Sequence, residues 1–370
     1  IGKGVGANEL QRKRSKRPNA AMQHSDTTPD LPALLERAER LIDEGRLEEA
    51  LEVARQAKAL EASPEILCLE GGLMAELGQA EEAIPLFEEA LAKDKKNVDA
   101  MGALADLLIG GASEDPEAVE KGITLCRRAS KLAKGDEELL AELALLEGIG
   151  LSILGAHADA LKALDRAAER LGDDPEFLQE RGIALFHLWR LDEARQVFER
   201  LLTIEPQAPW ALHYLGVLWD RAGEREKAED FFRRAHEADP QEIPLPFRIP
   251  EEEFDKLVEE ALAELPEKVR RYLSNVAIAG EPYPRGEEFG GADTVTPSVL
   301  GVFRGSPLGE KGTFDPWSHF PNSILLFQRS LENSVATREE LVDEIAITLL
   351  HEVGHFLGFD EDDLRERDLD

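Results

Sequence analysis

The sequence predicts a multidomain protein in which an all-α array of about six helix pairs precedes a small α+β domain. Three observations lead to this fold class. Small and apolar residues recur with a period of 34 residues between residues 31 and 242. The proline-rich segment DPQEIPLPFRIP then ends the repeat. Short apolar runs typical of strands follow it, and a helix with a His-Glu-x-x-His motif comes last.

Length and composition agree with this class. A chain of 370 residues is too long for one ordinary core, and its 42% hydrophobic content suffices for packed domains. No apolar run reaches the eighteen or so residues of a membrane span, so we expect no membrane span and a soluble, cytoplasmic protein. The formal net charge of −33 would repel phosphate backbones, which argues against nucleic acid as a partner of the folded part.

The start of the chain is rich in lysine and arginine. Residues 1–30 contain a cluster of basic residues, and we expect a disordered basic tail. Because the chain opens with Ile1, Met22 is an alternative start.

Cys68 and Cys126 fall within helical patterns without a C-x-x-C partner, so we expect buried, reduced thiols.

The 34-residue repeat is clearest in three consecutive blocks, which begin at Ala141, Pro175 and Pro209. Small residues let two helices approach, large residues fill the space between them, and a glycine permits the turn. A looser block from Val98 to about Leu140 carries an insertion around GGASEDPE. In the last block the marked positions are Leu212, Leu215, Gly216, Trp219, Gly223, Ala228, Phe232, Ala235 and Pro240.

With these residues at these spacings, the segment 31–242 resembles the tetratricopeptide (TPR) repeat family. The resemblance implies a superhelix of helix pairs whose groove binds a protein or peptide partner. Trp189 and Trp210 lie outside the main consensus positions, and the sequence leaves open whether they line the groove or pack.

The segment 243–370 predicts the order helix, helix, three strands, helix. EEEFDKLVEEALAELP has helical spacing, and PEKVRRYLSN continues as a second, short helix. The predicted strands are VAIAG, SVLGVFRG and SILLFQ, each bounded by Pro, Gly or Asn. Thr337 and Glu340 form a capping signal for the last helix.

The last helix carries a candidate metal site. Residues four apart stand on one face of a helix, so His351 and His355 can offer imidazole nitrogens to one zinc ion. Glu352 points toward the same cleft and can act as a general base that takes a proton from water. We therefore expect Zn²⁺ as the cofactor, but two histidines leave a third ligand to be found.

The third ligand is expected just beyond the helix. Fifteen residues follow His355, which is too few for a glutamate on a separate downstream helix. Gly358 can end the helix in a left-handed turn and return the chain to the metal. Spacing favours Glu361 as the ligand, with Asp360 and Asp362 as the alternatives.

From EEEFDKLVEEALAELPEKVR through LGVFRGSPLGEKG and SILLFQRSL to LLHEVGHFLGFDEDDL, the segment resembles the small bacterial zincin-like metallopeptidase family, the minimal zincins. The resemblance implies a zinc-dependent peptidase that hydrolyses peptide bonds. Members usually have an aspartate where this chain has Glu361. Tyr283 and His319 carry no motif, and we expect structural roles for both.

These observations give three predicted segments: a tail over residues 1–30, a TPR domain over 31–242 and a zincin-like domain over 243–370. Two further hypotheses stay open beside the peptidase. In one, the repeats form an interaction scaffold and the zincin-like domain is inert or structural. In the other, the repeats fold over the catalytic cleft and keep the peptidase latent.

Overall fold

The protein is described here by a computed structural model covering residues 30–111, 115–286, 295–306, 322–360 and 363–364. The chain forms two compact units, Ile1–Glu180 and Arg181–Asp370. Twelve helices in six consecutive pairs occupy the described residues up to Ala238, as the repeat predicts. Their bounds are α1 Leu31–Asp43, α2 Leu47–Leu60, α3 Pro64–Glu76, α4 Ala80–Lys93, α5 Val98–Ile109, α6 Pro116–Leu132, α7 Glu137–Ile153, α8 His157–Leu171, α9 Pro175–His187, α10 Leu191–Ile204, α11 Pro209–Arg221 and α12 Arg225–Ala238.

The first unit has one continuous apolar core formed by both helices of each pair. Leu67, Phe87 and Met101 are among its fully buried side chains. Cys126 is buried, as expected, whereas Cys68 is only half-buried, and both are free thiols. Burial raises the pKa of each thiol to about 12, so both stay protonated and unreactive at neutral pH.

Two buried glutamates interrupt this core at equivalent positions of the repeat. Glu70 on α3 and Glu147 on α7 each precede a repeat glycine. Glu147 accepts a hydrogen bond of 2.7 Å from Nε of Arg127 and also pairs with Arg166, so the carboxylate joins α7 to α6 and α8. Glu70 lies 2.6 Å from Nζ of Lys58. Each buried charge is therefore paired, which burial of a carboxylate requires.

Glycine allows close contact within the repeat pairs of the second unit. A Cβ atom on Gly182 would lie 2.5 Å from the ring of Phe198, and one on Gly216 would lie 2.7 Å from the ring of Phe232. The helices therefore touch where the sequence places a small residue opposite a large one.

The turn within the fifth pair departs from the others. Gly223 takes a left-handed conformation in the sixth pair, with φ 82°, whereas Trp189 takes it in the fifth, with φ 60°. A non-glycine residue there costs about 1–3 kcal/mol. The side chain offsets this cost because Nε1 of Trp189 donates to the carbonyl oxygen of Val295 at 2.9 Å, while the Arg221 guanidinium lies 5.3 Å from the ring centroid. Trp189 therefore packs, and it ties the fifth turn to residues that follow the first strand.

The second unit continues as a small α+β domain, which confirms the rest of the predicted fold class. Its described sheet has the order β1-β3-β2, with β1 parallel and β2 antiparallel to β3. A short helix, α15, was not predicted and lies between the last strand and the last helix. The bounds are α13 Glu251–Glu264, α14 Glu267–Tyr272, β1 Ala277–Glu281, β2 Gly301–Arg304, β3 Ser323–Phe327, α15 Gln328–Ser334 and α16 Arg338–Leu357.

Helices α13 and α16 pack on the sheet and form a second core. Phe254 of α13, Ile324 and Leu326 of β3, and Ile345 and Leu349 of α16 are fully buried in it. The core leaves β2 at an edge of the described sheet, beside α16. Among the helices that the structure describes, none combines the length and apolarity needed to cross a membrane.

A fully buried carboxylate, that of Glu332 on α15, organises the polar contacts of this unit. Its Oε1 accepts hydrogen bonds from the backbone nitrogen of Ile249 at 3.2 Å and from Nε2 of Gln328 at 2.7 Å. Its Oε2 accepts from Nη1 of Arg248 at 3.2 Å and from Nη1 of Arg329 at 2.7 Å. With four donors and two positive partners, the buried charge is fully satisfied.

Arg248 extends this network to the last repeat. Its Nε donates to Glu229 of α12 at 3.1 Å, and its guanidinium lies 5.2 Å from the Phe232 ring centroid. Nη2 of Arg248 is also 3.6 Å from Oδ2 of Asp220 on α11. The predicted boundary between residues 242 and 243 thus lies inside the second unit, where the repeat and the α+β domain share one set of charges.

We expect Glu332→Gln to lower the free energy of unfolding of the second unit by about 3 kcal/mol, because it removes one partner from a buried ion pair. Urea unfolding followed by tryptophan fluorescence measures this, since all four tryptophans lie after residue 180. Glu229→Gln is the matched control because it removes a half-exposed partner of the same arginine, and such pairs contribute about 1 kcal/mol or less. Equal effects of the two substitutions would contradict a central role for Glu332.

Candidate metal centre

Helix α16 begins at the predicted cap. Oγ1 of Thr337 accepts a hydrogen bond from the backbone nitrogen of Glu340 at 3.2 Å, and the Glu340 carboxylate accepts one from the backbone nitrogen of Thr337 at 3.2 Å. This reciprocal pair satisfies backbone donors that the helix leaves unpaired. The pair therefore fixes the residue at which α16 begins.

The helix ends at Gly358 in the predicted left-handed conformation, with φ 95°. The backbone nitrogen of Gly358 donates to the carbonyl of His355 at 3.1 Å, and that of Phe359 donates to the carbonyl of Gly354 at 3.0 Å. These two bonds form a Schellman motif, which reverses the chain. The reversed chain returns to the helix at Leu364, which is fully buried against Gly354. Asp360 and Asp363, the described residues on either side of this return, therefore lie close to the end of α16.

The two predicted histidine ligands converge. Nε2 of His351 and Nε2 of His355 are 3.0 Å apart, and the ring planes meet at 81°. Two imidazole nitrogens on one tetrahedral zinc ion would be separated by about 3.3 Å, since each Zn–N bond is about 2.0–2.1 Å. Nδ1 of His355 lies 3.1 Å from the carbonyl oxygen of Phe359. A proton on Nδ1 donated to that oxygen places the lone pair of the ring on Nε2, the nitrogen that would bind metal. The histidine pair fits a zinc ion.

The predicted acidic ligands are only partly described. Asp360 is exposed, and its Oδ1 accepts a hydrogen bond of 2.9 Å from the backbone nitrogen of Asp363. This bond caps the short turn that carries Leu364. Glu361 and Asp362 lie outside the described residues. Within the described part of the chain, no group of three His, Cys, Asp or Glu side chains forms a metal-binding cluster.

Glu352, the predicted base, is buried with 5% of its surface exposed. It lies under the first residue of β2, Gly301. A Cβ atom at that position would lie 2.7 Å from Cγ2 of Thr348 and 3.1 Å from Cγ of Glu352. Gly301 thus lets the edge strand approach α16 at the residue proposed as base. Sequence reasoning missed this role, although a glycine inside a strand pattern is a signal of close approach.

Tyr283 has the structural role that the sequence suggests. Its hydroxyl donates to Oδ2 of Asp220 at 2.7 Å and accepts a hydrogen bond of 3.1 Å from Nδ2 of Asn333. Burial raises the pKa of Tyr283 well above its usual range, so the phenol stays protonated. His319 lies outside the described residues.

Three carboxylates on the first helices of two repeats, α5 and α9, have raised pKa values. Burial, reinforced by neighbouring acids, raises the pKa of Glu176 to about 7. Burial also raises the pKa of Glu180 to about 7 and that of Asp106 to about 6. Burial thus disfavours the charged form of each carboxylate.

Comparison with known proteins identifies both parts of the chain. The zincin-like metallopeptidase family matches residues 273–370. One tetratricopeptide repeat family matches residues 74–113 and 185–245, and a second matches residues 153–209. The chain therefore contains TPR repeats and a zincin-like metallopeptidase domain, which confirms both predicted resemblances. The zincin-like match begins after α14, later than the predicted resemblance does. No curated protein matches the chain.

Solved structures resemble the repeat part. A structure of YrrB, described as a TPR protein with an unusual peptide-binding site, has 20% sequence identity and a TM-score of 0.40 over 50% of this chain and 92% of its own. Pseudomonas aeruginosa pilF has 15% identity and a TM-score of 0.48 over 57% of this chain and 92% of its own. A structure of MamA has 19% sequence identity and a TM-score of 0.39 over 46% of this chain and 95% of its own.

We expect Gly301→Ala to lower the free energy of unfolding by about 1–3 kcal/mol, because the new methyl group would overlap the branched side chain of Thr348. Gly72→Ala is the control because no atom lies within 4 Å of the point that its Cβ would occupy, and it should be neutral or slightly stabilising. Urea unfolding followed by circular dichroism reports on both sites. A Gly301→Ala protein as stable as the wild type would show that β2 does not need this close approach.

Proposed function

We propose that this protein is a zinc-dependent peptidase whose TPR repeats recruit a protein substrate or partner. The convergence of Nε2 of His351 and Nε2 of His355 beside the buried carboxylate of Glu352 carries this proposal. The match to the zincin-like metallopeptidase family supports it independently of the geometry.

In this proposal His351 and His355 bind the metal through Nε2, and one carboxylate from residues 360–362 completes the protein ligands. The return of the chain at Gly358 supports a ligand in this segment, because Phe359 and Leu364 are both anchored to α16. The carboxylate of Asp360 already caps the turn that follows, so we favour Glu361, in line with its spacing from His355.

A bound zinc ion would polarise the scissile carbonyl group and lower the pKa of a water molecule toward neutrality. The carboxylate of Glu352 accepts the proton of that water and then donates it to the amine nitrogen of the departing peptide. Contact with the edge strand at Gly301 restricts the Glu352 side chain, which keeps its carboxylate positioned for both transfers. Nδ1 of His355 holds its proton against the carbonyl oxygen of Phe359 throughout.

The substrate is proposed to be an extended peptide. In the described sheet β2 pairs on one side only, with β3, so its other edge offers main-chain groups to a peptide. The raised pKa values of Glu176, Glu180 and Asp106 favour a cationic over an anionic partner along the repeats, since a positive charge would stabilise their ionised forms.

Cleavage of a peptide library by the full chain and by Glu352→Gln tests the proposal. We expect both proteins to bind one zinc ion each, measured by metal analysis, because Glu352 is not a ligand. We expect cleavage to fall by about 10²–10⁴-fold in the variant, which lacks the base. Glu344→Gln, two turns earlier on α16, is the matched control and should cleave at the wild-type rate.

A wild-type chain that binds no zinc after reconstitution, or a Glu352→Gln protein with unchanged cleavage, would contradict the proposal. Zinc binding without cleavage of any peptide would instead favour the second candidate function, an interaction scaffold with an inert zincin-like domain. The TPR repeats, which are typical of protein-binding superhelices, are the observation that favours this candidate.

A further inference from the structure

The second unit contains a cavity of about 320 Å³ that lies away from the histidine pair. One wall comes from the first helices of the last two repeats, with Phe186 of α9 and Trp210, Tyr214 and Val217 of α11. The other wall belongs to the zincin-like domain and includes Tyr283. Apolar cavities of about 150 Å³ take up one benzene ring, and ligand pockets begin at about 300 Å³. The cavity therefore has room for one aromatic ring and the group attached to it.

Two polar side chains of α15 that line this cavity have atoms without hydrogen-bond partners in the described part of the chain. Ser330 is 7% exposed and Asn333 is 8% exposed, yet Oγ of Ser330 and Oδ1 of Asn333 are unpaired. The Asn333 amide cannot be reversed without loss, because its Nδ2 donates to the Tyr283 hydroxyl, which itself donates to Asp220. Oδ1 of Asn333 is thus an acceptor that requires a donor. Leaving such a buried group unpaired costs about 1–3 kcal/mol.

The charge state of the walls selects an uncharged ligand. His213, which also lines the cavity, is surrounded by aromatic rings, and burial lowers its pKa to about 4, so it is neutral at pH 7. Its Nδ1 is unpaired as well among the described residues. The described lining includes no lysine or arginine, and its one carboxylate, Glu242, would repel an anion. An anion in this cavity would lose its hydration without gaining an opposite charge, and because Glu242 is exposed, water screens its attraction for a cation.

We propose that this cavity binds an uncharged aromatic ring bearing one O–H or N–H group, either as a free small molecule or as a tyrosine or tryptophan side chain of a peptide. The aromatic walls supply edge and face contacts to the ring. The ring's donor satisfies Oδ1 of Asn333, and Oγ of Ser330 lies on the same helix face to share in the polar contact.

The position of the cavity connects it to the proposed peptidase. Leu300 lines the cavity, and the next residue, Gly301, begins β2 beside Glu352. A peptide whose aromatic side chain fills the cavity can therefore continue along the edge strand toward the histidines. This use in substrate selection rests on the proposed function, whereas binding of the ring does not.

Isothermal titration of the full chain with p-cresol, toluene and N-acetyltyrosinamide tests the proposal. The titrations use zinc-free Glu352→Gln protein, so that their outcome does not depend on catalysis. We expect saturable binding of p-cresol, at least fivefold tighter than that of toluene, which has the same ring without the donor. Tighter binding of N-acetyltyrosinamide than of p-cresol would identify a peptide as the source of the ring, and binding of p-cresol alone would identify a free small molecule.

Two variants locate the site. Val217→Phe fills the cavity and should abolish binding of all three compounds. Ser330→Ala removes a hydroxyl that has no partner among the described residues, so we expect unchanged folding, an unchanged toluene affinity and a p-cresol affinity about 3–10-fold weaker. The absence of saturable p-cresol binding to the parent protein would overturn the proposal. So would equal affinities for p-cresol and toluene, or wild-type p-cresol binding by both variants.

Discussion

The hydrogen bonds that converge on the buried carboxylate of Glu332 fix the arrangement of the second unit. Glu332 lies on α15, between β3 and α16, and it binds Arg248 in the segment that leaves the last repeat. Because Arg248 also contacts Asp220 and Glu229, one guanidinium links two repeat helices to α15, the helix that connects the last strand to the helix of the metal centre. Where α16 starts is therefore tied to where the TPR repeats end.

Local backbone geometry then turns one helix into a candidate metal centre. The left-handed residue Gly358 ends α16 three residues after the second histidine and sends the chain back along the helix. The same turn places the carbonyl oxygen of Phe359 against Nδ1 of His355, which leaves Nε2 for a metal. The turn at a single glycine thus places the hydrogen-bond acceptor of the second histidine and brings Asp360, the first residue of the acidic segment, to the end of α16.

Features set by short-range chemistry were predictable from the sequence. The repeat period gave six helix pairs, the Thr337 and Glu340 spacing gave the start of α16, and Gly358 gave its end. Histidines four residues apart had to share a helix face, so their convergence followed as well.

Features set by long-range packing were not predictable. The left-handed Trp189 is stable because Val295, over a hundred residues later, accepts its hydrogen bond. Glu70 and Glu147 break the apolar pattern of the repeat, and only the fold shows the cations that pair with them. Gly301 lies in an ordinary strand pattern of the sequence, and only the fold brings Thr348 and Glu352 against it. The aromatic cavity also required the fold, because its walls come from separate parts of the sequence.

Zinc K-edge X-ray absorption of the zinc-loaded full chain tests the proposed metal centre, because it counts and identifies the atoms bound to the zinc ion. We expect two imidazole nitrogens at about 2.0–2.1 Å and oxygen ligands from one carboxylate and water. Substitution of Glu361 by Gln should change the oxygen shell and leave both imidazoles in place. A third imidazole, a sulfur ligand, or four protein ligands with no position for water would contradict an open catalytic site at His351 and His355.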